Sequence, residues 1–191
     1  MSILNEALIF LIKTAINLYC MVVLLQLLFQ YFGFNLPPSF SQLILKATHP
    51  VLTPLQRIMP VYHKINFALI TLLVLLKSLE LLLTTLLMYG FVPNLFSLII
   101  WPMGEILSQT INLLFFAILI VGALSWFAPR SHNPFTNLLT QVTEPLLTPA
   151  RKWLPTIGGI DLSPIVVLTL LKLLEIVLAH PLKALGLRLV H

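Results

Sequence analysis

Four long apolar runs alternate with stretches where polar residues and prolines return. The first runs from about Ile3 to Phe32 and the second from about Phe67 to Tyr89. The third reaches Phe127 and begins between Leu95 and Glu105, where Pro102 and Gly104 predict a kink or an interfacial start. The fourth runs from about Leu162 to Ala179, with His180-Pro181 loosening its end. Roughly 20 apolar residues suffice to cross a bilayer as a helix, so each run predicts one crossing. Between the first and second crossings lies a proline-rich segment, Pro37 to Pro60, and between the third and fourth lies another, Asn133 to Pro155. Apolar residues recur there at helical spacing (Phe40, Leu43, Ile44, Ala47, then Leu55, Ile58, Met59), with Gln42, Lys46, Gln56 and Arg57 on other faces. Pro50 and Pro145 predict a break of each segment into two short helices. Thr53-Pro54 and Thr148-Pro149 then read as an N-cap followed by a first-turn proline, and Pro60 and Pro155 as stops. Short amphipathic helices of this kind suit the membrane interface.

The two halves of the chain are copies. Phe40 pairs with Phe135, Thr48 with Thr143, Pro50 with Pro145, Arg57 with Lys152 and Asn66 with Asp161, every pair 95 residues apart. The same offset continues into the membrane, pairing Lys77 with Lys172, Glu80 with Glu175 and Asn17 with Asn112. The expected fold is therefore an all-α membrane protein of four transmembrane helices. These form two tandem repeats, residues 1–95 and 96–191, each with an interfacial proline-rich segment. Two crossings per unit bring both copies into the membrane from the same side. The repeats should thus be parallel, related by a pseudo-twofold axis along the membrane normal.

Composition agrees with a lipid-facing surface. Hydrophobic residues make up 59% of the chain and charged residues 9%, with 11 basic against 6 acidic, and the mean hydropathy is +1.01. A soluble domain carries about 25% charged residues. The net charge of +5 reads as topology and contact with anionic headgroups rather than nucleic-acid binding. Lys46, Arg57, Lys64, Arg130, Arg151 and Lys152 all fall on the proline-rich side, whereas the loop from Gly90 to Gly104 has no Lys or Arg. By the positive-inside rule the proline-rich segments face the cytoplasm of a bacterial inner membrane and both termini face the periplasm; Lys183 and Arg188 pull the other way. The first run continues too far, and carries Glu6 and Lys13 in the wrong places, to read as a cleaved signal peptide. The single cysteine, Cys20, excludes an internal disulfide.

Ionisable residues at membrane depth are functional candidates, because each lone charge there is costly. Lys77 and Glu80 are three apart, as are Lys172 and Glu175, so each pair shares a helical face. Glu80 lies 14 residues past Asn66 and Asn17 lies 14 residues before Tyr31. Both therefore sit ~21 Å into the membrane, and the sums hold for the second copy. This predicts two polar clusters, Asn17 with Lys77 and Glu80, and Asn112 with Lys172 and Glu175, with a merger across the axis conceivable. They serve either as structural glue between helices or as an ion or proton path. Arg57, Arg151 and Lys152 form a candidate interfacial basic surface, either a collar that snorkels to lipid phosphates or a docking platform for a membrane-protein partner or a second copy.

Signatures of catalysis are missing. There is no H-E-x-x-H, G-x-S-x-G or P-loop sequence, and one aspartate, Asp161, cannot make an aspartyl dyad. The five histidines have no ligand spacing with one another, so neither a metal site nor a cofactor is expected. The expectation is a protein that is not an enzyme.

The pattern F-x-x-L…T-x-P-x-L-x-P-x-[RK]-x-x-P…I-[DN] followed by a hydrophobic helix resembles the YggT family of small membrane proteins, also called YlmG. The second copy carries it best, in TEPLLTPARKWLP at Thr143 to Pro155 and GGIDLSP at Gly158 to Pro164. Two tandem copies look like the proteobacterial form. The first copy departs from it, with Val61-Tyr62-His63-Lys64 for Thr156-Ile157-Gly158-Gly159 and Asn66 for Asp161. Any role of the turn formed by Gly158, Gly159 and Asp161 thus belongs to the second copy alone. The resemblance implies links to osmotic-stress tolerance and ion homeostasis, to cell division, and in plastids to cytochrome assembly. Two functions follow as expectations. One is a non-enzymatic scaffold or envelope-organisation factor; the other is a small oligomeric ion-handling protein.

Overall fold

The computed structural model describes residues 3–33, 38–59, 61–62, 65–127, 134–153 and 161–190. Helix α1 spans Ile3–Phe32, α2 Pro38–Ile58, α3 Phe67–Tyr89, α4 Ser97–Phe127, α5 Pro134–Trp153, α6 Ser163–Leu174 and α7 His180–Arg188. A single π-helical turn, Glu175–Ala179, joins α6 to α7. Between α2 and α3 a two-residue antiparallel hairpin pairs β1 (Val61–Tyr62) with β2 (Ile65–Asn66). Four helices are long and apolar enough to cross a membrane: α1, α3, α4 and the continuous α6–α7 rod. The chain is a multi-pass membrane protein with two tandem repeats.

Local chemistry sets the helix ends. Asn66 is extended and its Oδ1 accepts from the Ala68 N–H at 3.2 Å, starting α3. Gly90 ends it in the left-handed region (φ 74°), its N–H returning to the Leu86 carbonyl. Asn94 starts α4 by accepting from the Ser97 N–H at 2.8 Å. Pro102, inside α4, has no N–H to give to the Leu98 carbonyl. The Ser78 hydroxyl of α3 lies 2.6 Å from that oxygen and 2.7 Å from the Val74 carbonyl of its own helix, so its single proton is within reach of the group that the proline leaves open.

The proline-rich segments differ from the expectation. Each is one helix, α2 with Pro50 and Pro54 inside and α5 with Pro145 and Pro149 inside. Thr53 does not cap a new helix; its hydroxyl donates to the His49 carbonyl at 2.6 Å, one turn back. In each helix the prolines are four residues apart, hence on one face, and all four are exposed. Carbonyls freed on an exposed face can be hydrated rather than buried unpaired, so the helix can continue through these prolines. The opposite face packs inward through Ile44, Thr48 and Leu52 in α2 and through Leu138, Val142 and Leu147 in α5. Phe40 and Leu43, read with Ile44 as part of one apolar face, are exposed while Ile44 is buried. Ile44 and Val142 meet in one cluster with Phe29 of α1, so α2 and α5 lie on the same side of the protein.

The fourth crossing also runs past its expected end at Ala179. His180-Pro181 does not stop it, because the π turn, in which the His180 N–H reaches the Glu175 carbonyl, widens the helix just before the proline. The four crossings form a row: α3 packs between α1 and α4, and α4 packs between α3 and the α6–α7 rod. Among the described residues no packed α1–α6 contact closes the row, so the repeats are not arranged around a closed pseudo-twofold axis.

Candidate functional site

Lys77 and Glu80 lie one turn apart on α3, facing Asn17 of α1. The Lys77 ammonium donates to Glu80 Oε2 at 2.8 Å and to Asn17 Oδ1 at 2.5 Å. The Lys77 side chain is 0% exposed and that of Glu80 5%. A buried charge survives only when paired and hydrogen-bonded, and this one is both. The cluster is neutral as a unit.

The second cluster repeats the geometry. Lys172 donates to Asn112 Oδ1 at 2.7 Å and to Glu175 Oε2 at 2.8 Å. The Asn112 amide nitrogen donates to Glu175 Oε1 at 3.0 Å, so this asparagine bridges the cation and the carboxylate. Here the copies part. Ser108 donates to Glu175 Oε1 at 2.5 Å, Lys183 of α7 donates to Ser108 at 3.1 Å, and Lys183 pairs with Glu105 at 3.5 Å. A neutral polar chain thus runs along α4 from Asn112 to Glu105, ~10 Å at 1.5 Å per residue. Lys172 is 43% exposed, with its ammonium 4.7 Å from the Phe115 ring centroid, whereas Lys77 is sealed.

The clusters do not merge. Gln109, one turn before Asn112, ties α4 to α1 instead, its Nε2 donating to the Asn17 main-chain carbonyl at 2.9 Å. Gln109, Ser108, Glu105 and Lys183 are the members that the sequence reading missed. The repeat offset could not reveal them, since their counterparts are Thr14, Lys13, Phe10 and Met88. Close approach of α7 to α4 delivers Lys183. A β-carbon on Gly104 would lie 2.8 Å from the Lys183 nitrogen, and one on Gly186 would lie 2.5 Å from the Trp101 β-carbon.

Between the repeats, α1, α2, α4 and α5 line an open groove of about 430 Å³, apolar except for Gln109 and Asn112. Among the described residues no three His, Cys, Asp or Glu side chains gather as a metal-ligand set.

The interfacial basic residues fall into two groups. Arg57 and Lys152 are exposed and form no ion pair among the described residues. Arg151 is engaged: it pairs with Glu144 at 3.0 Å and with Asp161 at 2.8 Å. Asp161 in turn accepts from the Ser163 N–H at 2.9 Å at the start of α6. Gly158 and Gly159 lie outside the described residues. At the corresponding positions the first repeat has Gln56, His49 and Asn66, so neither the arginine nor the two carboxylates of the clamp has a like-charged counterpart there, and Asn66 instead donates to Gln30 at 3.2 Å.

Partial burial would raise the Asp161 pKa, but the bonds from Ser163 and Arg151 outweigh it and hold the carboxyl below its ordinary value. A depressed folded-state pKa contributes stability above the unfolded value of about 3.9, and that contribution disappears as pH falls through the folded-state value. Thermal unfolding in detergent between pH 6 and pH 3 should therefore show a loss that Asp161→Asn flattens, by up to ~1 kcal/mol for a partly exposed pair. Equal pH slopes in the two proteins would remove the clamp from the account.

A family model described as CCB3/YggT matches the chain twice, over residues 5–87 and 100–182. An uncharacterized protein of Pseudomonas aeruginosa is 39% identical over 182 residues, 95% of this chain and 92% of the relative. The Escherichia coli protein YggT is 35% identical over 178 residues, 93% of this chain and 92% of its own length. A Haemophilus influenzae protein is 33% identical over 165 residues, covering 86% and 87% of the two chains. No solved structure matches the chain.

Proposed function

The chain belongs to the CCB3/YggT family, and from that premise we propose that it is a non-enzymatic scaffold of the bacterial inner membrane, serving envelope organisation, stress tolerance or cell division. One observation carries this reading: the charges at membrane depth are consumed in holding helices together. Lys77, Glu80, Lys172 and Glu175 each bond to groups inside the protein, and Lys77 is fully enclosed. A neutralised, dry pair is a poor site for a passing ion. The groove between the repeats is apolar and suits hydrocarbon rather than a hydrated ion. Outside the membrane, Arg57 and Lys152 remain for anionic headgroups or an acidic partner, on the face that the positive-inside rule assigns to the cytoplasm.

A second reading, ion handling, draws on the second cluster, where Lys172 is 43% exposed and the polar chain reaches Glu105. Purified protein in proteoliposomes separates the two. A scaffold leaves ion flux at the level of empty vesicles. From native membranes it captures a stoichiometric partner that is lost with Arg57→Ala and Lys152→Ala. Flux that depends on Glu80 or Glu175 overturns the scaffold reading.

A further inference from the structure

The 95-residue offset allows the two repeats to be compared position by position, and one face differs. On α3, Leu81 is 3% exposed, while its counterpart on the α6–α7 rod, Ile176, is 55% exposed. Ser78 is half-buried and its counterpart Leu173 is 52% exposed; Thr85 is buried and His180 is exposed. The Lys77 side chain is 0% exposed and that of Lys172 43%. One outward stripe, by contrast, is alike in the two helices. Leu75 and Leu170 are 52% and 57% exposed, and Leu79 and Leu174 are 47% and 45%. The inward carboxylates match too, at 3% for Glu80 and 7% for Glu175.

The face that differs is the one that α4 covers on α3. Ser78 lies 2.6 Å from the Leu98 carbonyl, Pro102 is enclosed, and Ile106 packs onto the core shared by α1 and α3. The counterparts of Leu98, Pro102 and Ile106 on α1 are Ile3, Ala7 and Leu11. All three are exposed, Ile3 at 87% and Leu11 at 62%. Each half of the contact that joins the repeats thus recurs, uncovered, at opposite ends of the row.

We propose that a second copy of this chain docks head to tail in the membrane. Its α1 covers the α6 face of the first copy as α4 covers α3. Lipid could cover an apolar face as well as protein can, so apolarity alone does not call for a partner. The choice of a second copy rests on continuity with the contact already made inside the chain and on Lys172. That lysine lies on the open face at membrane depth, where its counterpart is sealed by a helix, and a charge there favours protein cover over hydrocarbon. The contact is heterologous, so it extends the row of repeats until the row closes. The proposal is independent of the scaffold reading.

The test is crosslinking in native membranes with Cys20→Ala as background. Two differently tagged copies are co-expressed, one with Ile3→Cys and the other with Leu173→Cys, the counterparts of Leu98 and Ser78. A short thiol crosslinker should join them several-fold more than it joins Ile3→Cys to Leu170→Cys, which lies on the stripe exposed in both repeats. Adding Ile176→Arg, at an exposed position, should reduce that yield several-fold. Within one chain, Ser78→Cys with Leu98→Cys calibrates the reagent. If the calibrating pair reacts while Ile3–Leu173 joins no better than Ile3–Leu170, the proposal is overturned. Undiminished crosslinking with Ile176→Arg overturns it too.

Discussion

Lys77→Met is expected to destabilise the protein by about 3–5 kcal/mol, the cost of leaving one member of a buried ion pair without its partner. The Glu80 side chain is 5% exposed and loses the one cation that pairs with it among the described residues, while Asn17 Oδ1 loses its donor. The double variant Lys77→Met with Glu80→Leu should recover most of that loss, since replacing a buried pair as a whole by apolar groups is often near neutral. Lys172→Met should cost less, because Lys172 is 43% exposed and Glu175 keeps Ser108 and Asn112 as donors. Unfolding of the purified proteins in mixed detergent micelles measures all three. If Lys77→Met and Lys172→Met unfold together, enclosure by α4 is not what separates the clusters.

The second large effect is expected at a glycine. Gly186→Ala should cost about 1–3 kcal/mol, the usual penalty for overpacking. Its β-carbon would stand 2.5–2.6 Å from the Cβ, Cα and N atoms of Trp101, and backbone atoms cannot rotate out of the way. Gly104→Ala should act from the other side of the same seam, against the Lys183 nitrogen at 2.8 Å, and should move Lys183 away from Ser108 and Glu105. Gly122→Ala is the control, because its nearest neighbour, the Pro164 β-carbon, would be 3.3 Å away and can give slightly. Melting temperatures of the three single variants decide it. A Gly122→Ala loss as large as that of Gly186→Ala would mean that the α4–α7 approach is not specially tight. Small residues where helices meet are a general device in membranes, where close packing replaces the hydrophobic drive.

The crossings and the polar triads were legible because they depend on short-range regularities. Phe67–Tyr89 could be read from apolar length alone, and Asn17, Lys77 and Glu80 from spacing and matched depth. The α4–α7 seam was not legible. Lys183 reads in sequence as a topology charge near the C-terminus, and nothing local says that it pairs with Glu105 seventy-eight residues earlier. The prolines misled for a related reason. Pro50 and Pro145 look like helix breaks until it is known that their face is exposed and their freed carbonyls can be hydrated.

The sequence by itself determined the membrane class, the number of crossings, the duplication and which polar residues share a depth. All of these follow from hydropathy, helical period and a fixed offset. Only the tertiary structure decided how identical motifs come to differ. The first repeat has α4 against the face beside Lys77, whereas among the described residues no helix covers the corresponding face of the second, so the same Lys–Glu pair is sealed in one copy and open in the other. A repeat in sequence specifies each unit's own fold, whereas the neighbours of the first and last units depend on where the row ends.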